Sequence, residues 1–421
     1  MLTRSRAQSK RKESSFTENS SATQEVSPAK CNGSAPVAPA SPVLPPACVP
    51  ESHEPRSLIP PVFALVASLA FGACYINFGS PGMGEYISAA CCGVLGLLLF
   101  VSMAFIPDGP FIRPSQIMWR IALGIGLFYM CILIPFLFIP LETAREALRI
   151  VFDSRLGVPL PSRSYAEACG LDTWQTIFDQ LDVFVALHIF GWVFKALIYR
   201  DVFFCWILSI AFELLEYALQ HQLPNFAECW WDHWILDVLL CNAIGILVGL
   251  VLGRFLCVKP FAWAYSSSRF EQKPTSLATK SFKNYLQVLF LLVGSLTAEI
   301  TCFYIKHLLW IPTVHPLNAF RLLLIVFLGS GAVREFYDLF SKDCHKSSTT
   351  QKARPFAAVT SIILIFESII CVRWGQDQFP NPAPLEVKVC ALFAAFVLLV
   401  LIPTLLFILP SIFGKHKKES K

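Results

Sequence analysis

Between Arg200 and Arg254 the sequence carries six acids, Asp201, Glu213, Glu216, Glu228, Asp232 and Asp237, and not one Lys or Arg. Two histidines (His221, His233) and two asparagines (Asn225, Asn242) lie among or beside the last five acids, and His188 precedes them. The sequence on either side is apolar at helical length, so these groups lie in or next to a membrane. An ionised side chain at the centre of a membrane helix costs on the order of 2.5–3.5 kcal/mol on insertion scales, so such groups face a bundle interior and need neutralising. Three arrangements would do this. The acids pair with Lys195, Arg200 or Arg120 and merely fix packing, or they line a proton or ion pathway, or they hold a cation at a catalytic site. Oxygen donors in this number suit a hard cation, Ca²⁺ or Mg²⁺, rather than zinc, and a site outside the cytosol favours Ca²⁺.

Spacing sorts the acids further. Glu213, Glu216 and Gln220 share one face of an α-helix. Glu228 and Asp232 share a face if their segment is helical. Asp232 and Asp237 do not, because five residues turn roughly 140° away from alignment on an α-helix. His188, in "VALHIFGW", reads either as a hydrogen-bonded packing residue or as a general base at the depth of the acids. Trp230, Trp231 and Trp234 suit the membrane interface, and His221 and His233 flank an exposed loop.

The elements that must carry these residues are membrane spans. The 421 residues are 55% hydrophobic and only 15% charged, well short of the quarter typical of a soluble domain. Their mean hydropathy is +0.57. An all-α, polytopic fold is expected, with about ten transmembrane helices near 59–79, 85–107, 117–140, 183–199, 202–220, 234–257, 284–310, 318–340, 356–374 and 389–413. Residues 141–182 begin amphipathically and predict an interfacial helix followed by a loop. Residues 1–57, rich in Ser, Pro and Ala, bury too little to offset ordering entropy and read as a disordered tail. Residues 58–413 read as the membrane domain, and residues 414–421 as a basic tail. No cleavable signal peptide is expected, since the first apolar run starts near Leu58.

Lys and Arg concentrate in 258–283, in 341–355 and after the tenth span, which predicts cytosolic termini and puts the acidic end of the bundle on the opposite side. Most of the 15 cysteines lie in apolar stretches, where they act as small hydrophobes, and no CxxC pair suggests zinc or a disulfide framework. No Walker loop, GxGxxG, GxSxG or HExxH is present, so an enzyme here works without a nucleotide-activated donor.

One stretch is specific beyond its chemistry. "LPNFAECWWDHWILDVLLCN", with "DGPFIRP", "HIFGWVFKALIYR", "LTAEITCFYIKHLLWIPTVHPLN", "VREFYDLF" and "FESIICVRWGQDQF", resembles the eukaryotic base-exchange phosphatidylserine synthases over about 108–380. The resemblance implies a Ca²⁺-dependent endoplasmic-reticulum enzyme that swaps the headgroup of phosphatidylcholine or phosphatidylethanolamine for L-serine, consuming no nucleotide. It carries functional roles onto His188, Glu213, Glu216, Asn225, Glu228, Asp232, Asp237 and Asn242, all retained here. The glutamate pair sits in "ELLE", where the family pattern has Thr at position 215. On this basis His188 is expected to be the general base and Glu213, Glu216, Glu228, Asp232 and Asp237 the Ca²⁺ ligands. Asn225 and Asn242 would orient serine or the ligands, Arg113 would either snorkel to lipid phosphate or serve feedback inhibition by phosphatidylserine, and a homodimer would be compatible. The rival reading is a carboxylate-lined transporter or ion pathway.

Overall fold

The computed structural model of the chain describes residues 58–77, 83–108, 110–111, 115–160, 169, 183–258, 260–261, 282–340, 354–379 and 382–408. The expected disordered tail, the basic tail, Arg113 and most of the Lys-rich connections lie outside these residues. The described residues are helical, in the order α1 (Ile59–Asn77), α2 (Met83–Phe105), α3 (Gln116–Phe136), α4 (Leu141–Val151), α5 (Val183–Tyr199) and α6 (Val202–Leu219). Then follow α7 (Asp232–Phe255), α8 (Phe282–Leu308), α9 (Pro316–Phe340), α10 (Pro355–Gln378) and α11 (Leu385–Phe396), the last continuing through two π-helical turns to Ile408. Eight of these helices are long and apolar enough to cross a membrane, and Ile59–Cys74 and Val185–Tyr199 are shorter apolar helices. These ten helices lie where the ten spans were expected, eight of them at full spanning length.

The short α4 is the amphipathic segment expected after the third span. Leu141, Ala144, Arg145 and Leu148 form its buried stripe, at the spacing of one helical face. Arg145 anchors it: Nε donates to the Leu308 carbonyl at the end of α8 (2.8 Å), and the guanidinium lies 3.3 Å from the Trp310 ring centre.

Two cores hold the bundle. One gathers Trp119 and Leu123 of α3, Leu308 of α8, Leu328 of α9 and Phe356 and Trp374 of α10. The other packs Trp192 and Ala196 of α5 against Phe204 and Leu208 of α6 and Ile246 of α7. The α5–α6 corner is tight: Arg200 takes a left-handed φ of 56°, and the Asp201 side chain accepts the Phe204 amide (2.8 Å) as the cap of α6. Asp201 is therefore a capping residue and stands apart from the other five acids.

Glycines set the distance between α5 and α7. A Cβ on Gly245 would lie 2.5 Å from Trp192 Cβ and 2.7 Å from the Ile189 carbonyl oxygen, and one on Gly249 would lie 2.6 Å from the Val193 carbonyl oxygen. In lipid, helices associate by such close backbone packing, for which small residues four apart are suited. This contact faces His188 of α5 toward the acidic half of α7.

A candidate active site where three helices meet

The first half of α7, Asp232–Asn242, is a π-helix, and Ala243–Phe255 continues it as an α-helix. Bonding from i to i+5 widens the turn, so residues five apart lie much nearer one face than in an α-helix, and Asp237 comes toward the side of Asp232. This corrects the expectation that Asp232 and Asp237 face different neighbours, which assumed α-helical pitch. π-Helical turns are rare and recur at functional sites.

On α6, Glu213 and Glu216 point to the same side and are buried, as their spacing predicted. Facing them from the start of α7 is His233, fully buried and stacked on Tyr217 with ring centres 4.4 Å apart. Its Nδ1 donates to Glu213 Oε2 (2.9 Å) and lies 3.6 Å from Glu216 Oε2 and 4.0 Å from Glu228 Oε2. Sequence reasoning set His233 aside as an exposed loop residue. The missed signal was its place directly after Asp232, inside a helix that starts one turn earlier than apolarity alone suggests.

His188 of α5 faces the same cluster. Its Nε2 lies 2.7 Å from Asn242 Oδ1, and Asn242 Nδ2 donates to Ser209 Oγ of α6 (2.7 Å). The indole N–H of Trp192 donates to the same His188 nitrogen (3.2 Å). The other ring nitrogen, Nδ1, is 3.6 Å from Asp237 Oδ1. Asn242 and Ser209 have no solvent exposure, so one nitrogen of the imidazole is held and the other faces the acids.

Glu228 approaches from the α6–α7 loop. Burial is the main cause that pushes its carboxyl up to about 8, with further repulsion from Glu216 and Asp232. Asn225 sits in the 3₁₀ turn Pro224–Phe226 and lines a small pocket with Phe303, Lys306 and His307. That pocket does not include the other expected site residues. Arg113, the expected regulatory residue, lies outside the described residues.

The cations that would have made the acids mere packing partners are engaged elsewhere. Lys195 pairs with Glu299 of α8 (2.8 Å), and Arg120 pairs with Asp108 (3.0 Å). Arg200 donates to the Leu197 carbonyl and lies over the Phe261 ring. Among the described residues, Glu213, Glu216, Glu228 and Asp237 have only histidines within ion-pair distance. Oxygen donors from α6, the loop and α7 therefore converge with one central imidazole. Glu213, Glu216 and His233 can bring ligand atoms within 4.8 Å of one another. The donor set fits a hard divalent cation.

Trp230, Trp231 and Trp234 part company. Trp230 is 60% exposed, as an interfacial residue would be, whereas Trp231 is buried and Trp234 stacks on Tyr217. The chain also contains a disulfide, Cys169–Cys229, where the sequence reading expected no disulfide framework.

Fold and site together define a multi-pass, all-helical membrane protein with an acidic, histidine-bearing centre built for chemistry within the bundle. Comparison with known sequences gives that class its family. Residues 114–375 match the family model described as phosphatidyl serine synthase. The chain is 36% identical over 321 residues to phosphatidylserine synthase 2 of Danio rerio, covering 70% of this chain and 69% of that one. It is 38% identical over 311 residues to phosphatidylserine synthase 2 of Rattus norvegicus, covering 67% and 64%. The chain belongs to the phosphatidyl serine synthase family. Membership puts it among phosphatidyl transferases of phosphatidylserine synthesis and decides for an enzyme over an ion pathway.

Proposed function

We propose that this protein makes phosphatidylserine by Ca²⁺-dependent base exchange, replacing the choline or ethanolamine of a membrane phospholipid with L-serine. The observation that carries this reading is the gathering of Glu213, Glu216 and Glu228 around His233, with Asp237 beside His188, at a centre where the described ion partners of these acids are histidines. One phosphodiester replaces another, so the exchange needs no activated donor, in keeping with the missing nucleotide motifs.

In the direct route, the serine hydroxyl oxygen attacks phosphorus and the choline or ethanolamine oxygen departs. His188 takes the hydroxyl proton and returns it to the leaving alkoxide, so the imidazole ends as it began. Nε2 is held between Asn242 Oδ1 and the Trp192 indole N–H, and Nδ1 faces the reacting centre beside Asp237. Ser209 and Asn242 prevent the ring from turning. Calcium, held by several of the five carboxylates, would neutralise phosphate oxygens and the added charge of the pentacoordinate state. The carboxylates also suit the amino group of serine and the cationic headgroup that departs. A two-step route through a phosphatidyl-His188 intermediate uses the same residues. Retention of configuration at a chiral phosphorus would identify it, and inversion would identify direct attack.

The Cys169–Cys229 disulfide favours an oxidising compartment for the acidic end of the bundle. With the Lys-rich connections on the other side, this supports an endoplasmic-reticulum membrane, a luminal site and cytosolic termini. A regulatory site for product phosphatidylserine at Arg113 and assembly as a homodimer belong to the same reading.

The test uses purified protein in mixed micelles of phosphatidylcholine or phosphatidylethanolamine, with radiolabelled serine and either Ca²⁺ or excess chelator. Label in phosphatidylserine that needs Ca²⁺ and no nucleotide is the expected result, and the better lipid names the donor. Folded protein that labels neither lipid would contradict base exchange.

A further inference from the structure

The two cysteines of the disulfide come from distant parts of the chain, 60 residues apart, and Cys229 is 1% exposed. Its neighbours in sequence are the matter of interest. Glu228 precedes it, and the Cys229 carbonyl accepts the amides of Asp232 (2.9 Å) and His233 (3.3 Å). Those two bonds close the turn that leads into the π-helix on which Asp232 and His233 stand. A second tie runs in parallel: the Trp231 indole N–H donates to the Cys169 carbonyl (3.3 Å). Residues 228–233 thus hang from Cys169 by one covalent bond and one hydrogen bond. They form the α7 end of the loop between α6 and α7, where the His233–Glu213 bond (2.9 Å) is a further tie. Its other end is held by the 3₁₀ turn, with Phe226 packed on Phe212 and Phe303.

We propose that the Cys169–Cys229 disulfide is a positioning bond of the exchange site, fixing Cys229 so that Glu228, Asp232 and His233 are held together for a divalent cation. This rests on the calcium reading above and adds to it a dependence on the oxidised bond. Two electrons and two protons from a dithiol convert the bond to two thiols, and the dithiol departs as its own disulfide. The thiols need no longer stay together, so Cys229 and the carbonyl that closes the turn into the π-helix lose their anchor. Outer residues that orient metal ligands typically govern metal affinity by 10–100-fold, and they do so while leaving the ligands themselves in the protein. The expected consequence is therefore a weaker hold on calcium, with turnover at saturating calcium changed far less.

The experiment compares the full-length protein in detergent before reduction, after dithiothreitol, and after reoxidation, alongside Cys169→Ser. Cross-linked peptides are mapped by mass spectrometry, calcium binding is titrated by calorimetry, and serine incorporation is followed across calcium concentrations. The expected results are a Cys169–Cys229 peptide and a calcium dissociation constant raised roughly 10–100-fold by reduction. The calcium half-saturation of the reaction should rise in parallel, kcat should change little, and reoxidation should restore tight binding. Cys169→Ser should match the reduced protein and ignore dithiothreitol. Free thiols at both positions in the untreated protein would overturn the proposal, as would unchanged calcium affinity after complete reduction. If the variant fails to fold, reduction of the folded wild type carries the test alone. Absence of calcium binding by the untreated wild type would instead sink the calcium site itself, and the positioning role with it.

Discussion

Two clusters of buried acidic groups lie within this bundle, and they are built on opposite plans. Around Glu367 of α10 every charge is answered. Arg321 of α9 donates to Glu367 Oε1 (2.6 Å), as does the Tyr129 hydroxyl of α3 (2.5 Å), and Thr301 of α8 donates to Oε2 (2.8 Å). Four helices are fastened at one carboxylate. At the junction of α5, α6 and α7, five carboxylates gather with two histidines, and four of the five have no Lys or Arg partner among the described residues. A buried charge with a full set of donors is a structural joint, whereas a gathering of acids with no Lys or Arg partner is the arrangement the proposed cation would answer. Burial alone does not separate the two, since Glu367 and Glu213 are both almost completely enclosed. Matching does.

That contrast can be broken by mutation, and the largest effects belong to the unmatched cluster. His188→Ala should lower serine incorporation by roughly 10²–10⁴-fold, the span typical of a lost general base. Glu216→Gln and Asp232→Asn should abolish calcium-dependent exchange while the protein still elutes as a folded monodisperse species. Near-normal activity in both carboxylate variants would remove the cation assignment.

A smaller but still large loss is expected from Gly245→Leu. The new side chain has no room against Trp192 and Ile189, so α5 and α7 must part and His188 must move from Asn242. A displacement of about 1 Å can cost about 10²-fold in rate, which activity assays on folded protein would read directly. Full activity would mean that the glycine contact does not set the site.

The matched cluster should respond in stability instead. Glu367→Leu strands Arg321 in the bundle, a loss on the order of 3–5 kcal/mol for a broken buried pair. Thermal unfolding in detergent should record it, with the calcium half-saturation of surviving protein unchanged. A shift in calcium dependence would show the two clusters to be coupled.

The smallest effect is a linkage at Glu228. Its carboxyl sits at about 8, above the ordinary 4.5, because burial and then Glu216 and Asp232 oppose its ionisation. The folded form therefore holds the proton more tightly than the unfolded form. Without a cation, the stability this supplies is complete below about 4.5 and fades as pH rises through 8. A calcium ion held there, as proposed, would displace that proton, so the rise in thermal midpoint on adding calcium should be greater at pH 9 than at pH 6. Glu228→Gln should flatten the difference.

Much of this was legible in the sequence. The spans follow from apolar length, and the shared face of Glu213 and Glu216 follows from a spacing of three. The alignment of Asp232 with Asp237 was hidden because it depends on π-helical pitch. Such pitch is a tertiary outcome that local propensity does not encode. His233 was hidden because its burial comes from Tyr217 and Glu213 on another helix. Cys169 and Cys229 stood among 15 cysteines with no spacing rule to pair them. Their one distinguishing mark was a position in polar connections, away from the apolar stretches that hold most of the others. The Glu367 joint lies within a quoted family motif, yet its role appears only when Tyr129, Thr301 and Arg321 converge on it from three other helices.

Calcium binding to purified protein, titrated by calorimetry for wild type, Asp232→Asn and Glu367→Gln, tests the distinction most directly. Saturable binding in the wild type, lost in Asp232→Asn and kept in folded Glu367→Gln, is the predicted result. Equal binding in all three, or none in the wild type, would contradict the claim that the unmatched carboxylates exist to hold a cation.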